Sequence, residues 1–284
     1  MINEGIKLKS IKKILTARFS IKIIGLIIVL FALFPAIWMV RTSLMYPGDA
    51  LAVPPKIFFT PTLSNYTYIF TAYDFGRYLF NSITISVGAV VLALVIGTPA
   101  AYALSRFTIK RKRDIEMFFL SARMGLPLVI LIAFFVQFRM LGLLDTHLAL
   151  IIVYQAFTLP LVIIMVKGFI DALPPEIEES ALIDGCSRLG VLSKITLPAI
   201  APGLIGTAIF ALIFCYNEFL FASILTSVDA RTAPVAIYGL ISPERGLEWH
   251  HICAGATLML IPVLVLSLLV RKYLVRGLAL GTAG

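Results

Sequence analysis

Charge is scarce in this 284-residue chain. Asp, Glu, Lys and Arg make up only 14% of it beside 60% hydrophobic residues, and the mean hydropathy of +0.99 excludes an ordinary soluble protein. Histidine is nearly missing: of three residues, His250 and His251 are adjacent rather than spaced as helical metal ligands, so no metal site is expected. No convergent set of nucleophile, base or metal ligands can be assembled, which leaves a membrane enzyme without support. The three cysteines, Cys186, Cys215 and Cys253, fall in regions too different for a disulfide framework. No G-x-x-x-x-G-K-[ST] loop is present, so the chain does not cradle nucleotide phosphates and holds no cofactor of that kind. Low-complexity tracts and soluble-type repeats are also missing.

What is abundant is apolar sequence. Six stretches approach the roughly 20 helical residues that a hydrocarbon core requires: Ile23 to Val40, Leu79 to Leu104, Met117 to Phe138, Leu148 to Val166, Pro202 to Leu225 and Ile252 to Val270. Continuous apolarity without strict alternation fits helices rather than barrel strands, so the expected fold is an all-α integral membrane bundle of six transmembrane helices. The net charge of +9 is explained by location: with the N-terminus inside, 17 of the 24 Lys and Arg residues fall in cytoplasmic segments. Both termini are therefore expected in the cytoplasm, and the basic charge faces a lipid surface, not nucleic acid. The first apolar run ends in bulky Trp38 and Met39 with no A-x-A site, as a retained anchor does. The expected layout is a basic tail over 1–22, a first span and long external loop over 23–78, a core over 79–275 and a C-terminal tail over 276–284. The aromatic residues of the external loop, Tyr66, Tyr68 and Phe70, predict that it packs on the bundle.

One cytoplasmic connection is too long and too mixed in charge for a bare hairpin turn: residues 167–200, between the fourth and fifth spans. Pro174 and Pro175 suit the first turn of a helix, and Glu176, Glu178 and Glu179 suit its positive N-terminal end. The helix is predicted to run to about Asp184, with Gly185 in the left-handed conformation that ends it, Ser187 capping a second helix and Pro198 limiting that one.

In this connection Glu179, Ser180, Ala181 and Gly185 read E-S-A-x-x-x-G, and Ile195, Leu197 and Pro198 read I-x-L-P. The pair closely resembles the E-A-A-x-x-x-G motif of inner-membrane permease subunits of bacterial ABC importers, with Ser180 in place of a small alanine. Ala101 to Phe107 (A-Y-A-L-S-R-F), Leu141 to Thr146 (L-G-L-L-D-T), Tyr216 to Ala222 (Y-N-E-F-L-F-A) and Val275 to Gly281 extend the resemblance through most of the chain. Phe169, Leu173, Pro174 and Asp184 are similar to the carbohydrate-importer branch, with its smaller, six-span permease. The resemblance implies a second homologous permease, two ABC ATPase subunits that bind ATP and Mg, an external solute-binding protein, a bacterial inner-membrane location and no catalysis in this chain. It also implies that Glu179, Ser180, Ala181, Asp184 and Gly185 form a coupling helix and turn that dock on an ATPase, with Ile195, Leu197 and Pro198 anchoring the segment.

Polar groups inside spans are costly and mark functional candidates. Asn217 and Glu218, in the middle of the expected fifth span, belong either to the translocation path or to a polar tie between helices, with Arg123 as a possible partner for Glu218. Gln137, Tyr154 and Gln155 carry the same two readings, since amides and phenols bond sugar hydroxyls as well as neighbouring helices. In the related family the loop Ser242, Pro243, Glu244, Arg245, Gly246, Leu247, Glu248 and Trp249 reaches the external binding protein, while Trp249 equally suits an interfacial anchor. A permease for a non-sugar solute and an ion-coupled secondary transporter are the alternatives.

Overall fold

A computed structural model describes the backbone over residues 2–124, 127–242 and 246–281, and side chains over 21–121, 128–241 and 248–269. Among the described residues the regular structure is helical apart from a short hairpin, β1 (Ile241–Ser242) paired antiparallel with β2 (Gly246–Leu247). In order come α1 (Ile2–Ser43), α2 (Pro47–Ala50), α3 (Ser64–Ala72), α4 (Phe75–Arg106), α5 (Lys112–Met124), α6 (Pro127–Met140), α7 (His147–Val153) and α8 (Gln155–Asp171). Then follow α9 (Pro175–Ile183), α10 (Arg188–Val191), α11 (Leu197–Tyr216), α12 (Leu220–Leu225), α13 (Ala233–Tyr238) and α14 (Trp249–Gly281).

Among the described residues four helices are long and apolar enough to cross a membrane: Ile21–Ser43, Phe75–Arg106, Arg188–Tyr216 and Trp249–Leu269. The pair α7 and α8, bent by 46° at Tyr154, adds a fifth if the two are one broken span rather than a re-entrant loop. The expected third span, Met117 to Phe138, is divided between α5 and α6, and no single described helix covers it.

The fifth stretch also differs from expectation. Its helix starts at Arg188, passes through one π-helical turn at Leu192–Thr196 and ends at Tyr216, before a break at 217–219. Pro198 therefore does not stop the second helix. A proline ring here would collide with the carbonyl four residues earlier, and the wider π turn immediately before it lets the chain continue.

The core lies where α4, α8 and α11 meet, with Ala89, Ala93, Val153, Val162, Val166 and Ala211 almost fully buried. Two glycines set how closely these helices approach. A Cβ on Gly97 would stand 2.9 Å from Val162 Cγ1, and one on Gly203 would stand 2.5 Å from the Phe169 ring. Small residues at such crossings let helices pack by dispersion where lipid supplies no hydrophobic drive between them.

A smaller cluster of Ile69, Phe75, Ala233, Ala236 and Ala254 closes the opposite end from α9. There the loop after α1 packs on the bundle only in part: Ile69, Tyr66 and Tyr68 of α3 join this cluster, whereas Phe70 and most of residues 51–64 are exposed. Asn65 donates to the carbonyls of Ser43 and Met45, both at 2.8 Å, and the hydroxyls of Tyr66 and Ser43 lie 2.6 Å apart.

Candidate functional site

The 167–200 segment forms the helix, turn and helix that its sequence predicts. Pro175 starts α9, which ends at Ile183 with Asp184 as its C-cap. Gly185 follows at φ +87°, a backbone region open to glycine at no steric cost. The Ser187 side chain accepts the Gly190 N–H at 3.1 Å and begins α10.

Helical rotation sorts the acidic residues. Glu178 and Ala181, three residues apart, turn inward and are buried, whereas Glu179, Ser180, Asp184 and Gly185 face outward. Glu178 is only 3% exposed and accepts three bonds: from Arg106 Nε at 3.0 Å, Tyr102 Oη at 3.2 Å and Thr196 Oγ1 at 2.9 Å. Arg106 in turn donates to the carbonyls of Ile170 (2.9 Å) and Leu173 (3.0 Å). Charge, carbonyls and hydroxyls are thus matched in one buried network joining α4, α8, α9 and the π turn. Sequence reasoning gave Glu178 only a role in the helix's first turn. The available signal was its i, i+3 relation to Ala181, together with the Tyr102 and Arg106 of the A-Y-A-L-S-R-F stretch.

The outward face keeps large apolar side chains in the open: Ile177 is 52% exposed, Ile183 87% and Leu189 77%. Of the anchoring residues, Ile195 and Leu197 are half-buried and Pro198 is exposed.

Both breaks in the spans are made by side chains that compete for the backbone ladder. At the first, Gln155 Nε2 donates to the carbonyls of Ile151 (2.8 Å) and Ala89 (3.0 Å), so its NH2 group is spent on backbone while its Oε1 is buried without a partner. At the second, Asn217 Nδ2 donates to the Ile213 carbonyl at 2.8 Å, while the Glu218 carboxylate accepts Phe221 N (2.9 Å) and Ala222 N (3.1 Å) and so starts α12. The buried Tyr154 hydroxyl lies against Glu218 without the geometry of a full hydrogen bond. The two breaks are therefore joined through Tyr154 and Glu218, and Glu218 sits in a helix break rather than within a continuous span. Asn217 and Gln137 are exposed, and the Arg123 side chain lies outside the described residues. Glu218→Ala is expected to destabilise the chain by about 0.5–2 kcal/mol, as loss of an N-cap does. An unchanged unfolding temperature of the purified complex would contradict that role.

At the opposite end from α9, Asp145 clasps the chain after α12. Its carboxylate accepts the N–H groups of Ser227 (3.0 Å), Val228 (2.9 Å), Asp229 (3.0 Å) and Ala230 (3.0 Å), and the Ser227 hydroxyl at 2.8 Å. Burial alone pushes this carboxyl's pKa up, but the backbone donors outweigh it and hold the pKa well below the usual carboxylate range. A depressed pKa contributes stability above the unfolded value, roughly pH 4, that is lost as pH falls through the folded value. Between pH 5 and 8 the clasp is therefore expected to be insensitive to pH. Asp145→Ala is expected to open residues 226–232 to proteolysis across that range, and equal digestion of variant and wild type would count against the clasp.

In the 242–249 loop, Ser242, Gly246 and Leu247 form the β1–β2 hairpin, and Pro243, Glu244 and Arg245 lie outside the described residues. Glu248 meets His251 Nδ1 at 2.9 Å, and Trp249 is 45% exposed.

Residues 89–280 match the family described as binding-protein-dependent transport system inner membrane component. The chain belongs to this family. The permease is 36% identical over 250 residues to a probable ABC transporter permease protein of Sinorhizobium fredii, covering 88% of this chain and 90% of that protein. It is 35% identical over 264 residues to the trehalose/maltose transport system permease protein of Thermococcus litoralis, covering 91% and 94%. Its fold is similar to a chain in the crystal structure of a bacterial ABC transporter involved in import of the polysaccharide alginate, with TM-score 0.71, 24% identity and coverage of 87% and 92%. The permease is accordingly a multi-pass inner-membrane subunit of an ABC importer, a transport component rather than an enzyme.

Proposed function

We propose that this permease forms half of the translocation path of a sugar importer and is driven through its 167–200 segment. The carrying observation is the division of labour on α9: Glu178 and Ala181 lock the helix to the bundle, while Glu179, Ser180, Asp184 and Gly185 stay exposed beside Ile177, Ile183 and Leu189. A rigidly held helix with an unpartnered mixed face transmits a push, since displacement of the outer face moves α4 and α8 with it. In this reading two ABC ATPases bind ATP and Mg and dock on that face, and their closure swings the spans. Six spans with both termini cytoplasmic put the segment on the ATP side, with α5 and α6 together as the third crossing.

The basic tail 1–22, the first span and external loop 23–78, the core 79–275 and the tail 276–284 complete the layout. A second homologous permease supplies the other half of the path, and an external solute-binding protein meets the loop Ser242 to Trp249. The name of the Thermococcus litoralis relative supports a sugar as the solute. Within the path, Gln137 keeps an accessible polar group and Asn217 an exposed amide whose Nδ2 is already bonded to the Ile213 carbonyl, whereas Tyr154, Gln155 and Glu218 serve the helix breaks.

The test is reconstitution of the permease with its copurifying partners in vesicles, with labelled sugars presented on the binding protein. Uptake is expected to require ATP and to vanish with a hydrolysis-dead ATPase. Uptake that persists with that ATPase would overturn the driven-permease reading, and a copurifying binding protein that ignores sugars would overturn the solute.

A further inference from the structure

Beside the buried network that locks α9 lies a second polar cluster, centred on Lys167 near the C-terminal end of α8. Lys167 Nζ donates to Asp171 Oδ2, one turn further along the same helix, and stands 3.3 Å from Glu116 Oε1 of α5. The other Asp171 oxygen, Oδ1, accepts the hydroxyl of Ser105, at the end of α4. Ser105 and Arg106 are neighbours in the chain, so α4 grips the end of α8 twice: Ser105 through the Asp171 carboxylate, and Arg106 through the carbonyls of Ile170 and Leu173. A short linker, 172–174, then leads into α9.

The link to α5 stands alone. That helix packs against α8, and its half-buried residues Lys112, Ile115, Glu116 and Phe119 fall on one face at helical spacings of three and four. Among the described side chains, Glu116 to Lys167 is the only ion pair or hydrogen bond from α5 to another helix, and Lys112 acts on Asp171 only as a more distant charge. Glu116 Oε1 is enclosed by protein and takes no hydrogen bond of full geometry, so the ammonium charge of Lys167 is what compensates it. Apolar packing between two helices is non-directional, whereas a charge pair at one point fixes their register.

On the driven-permease reading given above, on which this rests, we infer that Lys167 is a positioning residue of the drive: it ties α5, the first half of the third crossing, to the end of α8, so that displacement of α9 carries the third crossing along with α4 and α8. The exposures separate this role from one in stability. Lys167 is 18% exposed and Glu116 35%, so either side chain can turn to water when its partner is lost. The fold then loses little, as with other pairs open to solvent, while α5 loses its fixed point on α8.

The test uses the intact complex in vesicles, with its copurifying ATPases and binding protein, and reads sugar uptake and ATP hydrolysis together. Glu116→Ala removes the link to α5 and leaves Lys167 on Asp171. It is expected to assemble with an unchanged melting temperature and to hydrolyse ATP at the wild-type rate, while sugar delivered per ATP falls about fivefold, within the range over which residues between coupled sites act. Lys167→Met is expected to show at least the same fall, the double variant to be no worse than Lys167→Met alone, and Lys167→Arg to keep most of the coupling. Spin labels on exposed Ser121 and Ser193, in a background without the native cysteines, give a direct reading. Their separation is expected to be the same with and without ATP in the otherwise wild-type chain, and to change with ATP in Glu116→Ala. Where Lys167→Met does not assemble, Glu116→Ala and the label separation decide. Wild-type delivery of sugar per ATP in Glu116→Ala overturns the proposal, and so does a label separation that behaves alike in the two proteins. A fall in uptake matched by an equal fall in ATP hydrolysis or in assembly marks a merely structural pair and overturns it too. Uptake without ATP in the wild type instead overturns the driven-permease reading itself, before any variant is compared.

Discussion

Glu178→Ala is expected to abolish ATP-driven uptake while leaving the chain in the membrane. The substitution strands Arg106 in a site where its side chain is 12% exposed, and removing one partner of a buried pair costs about 3–5 kcal/mol. The Tyr102 and Thr196 hydroxyls lose their acceptor at the same time. The consequence is local before it is global: α9 loses its tie to α4, and a push on its outer face no longer moves the spans. Arg106→Ala is expected to be at least as severe, because Arg106 also holds the carbonyls of Ile170 and Leu173.

A double-mutant cycle separates packing from coupling. Replacing Glu178 and Arg106 together by apolar residues of similar volume removes the stranded charge, so stability is expected to recover by more than the two single losses would suggest. Uptake by the same double variant is expected to stay low, since Ile170 and Leu173 are still released. Near-normal uptake in Glu178→Ala, at normal expression, would show that the buried pair has no part in transmission.

Gly185→Asp and Gly185→Val are expected to remove uptake with insertion intact. Among the described residues nothing beyond its chain neighbours comes within 4 Å of a Cβ at this position, so side-chain space is not the constraint; the φ of +87° is. A β-branched residue is strained there by about 1–3 kcal/mol. An aspartate adds a second carboxylate after Asp184 at the negative end of α9. Asparagine tolerates the left-handed region, and Gly185→Asn is expected to retain part of the activity. Equal activity in the Asn and Val variants would show that backbone conformation at the turn is irrelevant. The measurement is uptake in vesicles normalised to the permease content of the membrane.

The same contrast between local and distant causes explains what could be read from the chain without coordinates. The turn at Gly185, the start of α9 at Pro175 and the Ser187 cap depend on neighbouring residues, so a few positions of sequence suffice to read them. The spans at α1, α4 and α14 depend on apolar run length alone. The breaks at Tyr154 and Asn217 are different. They arise because Gln155, Asn217 and Glu218 bond to backbone, and a polar side chain in an apolar run looks the same whether it faces a path, a partner helix or its own ladder.

The acidic start of α9 shows the division most clearly. The sequence by itself determined that a capped helix and glycine turn interrupt the membrane spans, because helix starts and ends are short-range matters of backbone donors, acceptors and φ. It could not rank Glu176, Glu178 and Glu179, which all suit a positive helix end. Only the tertiary structure decided that Glu178 turns inward onto Arg106, 72 residues earlier in the chain, while Glu179 stays free. The physical reason is that a helix's rotation about its axis is set by what it packs against, and that partner is contributed by the far end of α4.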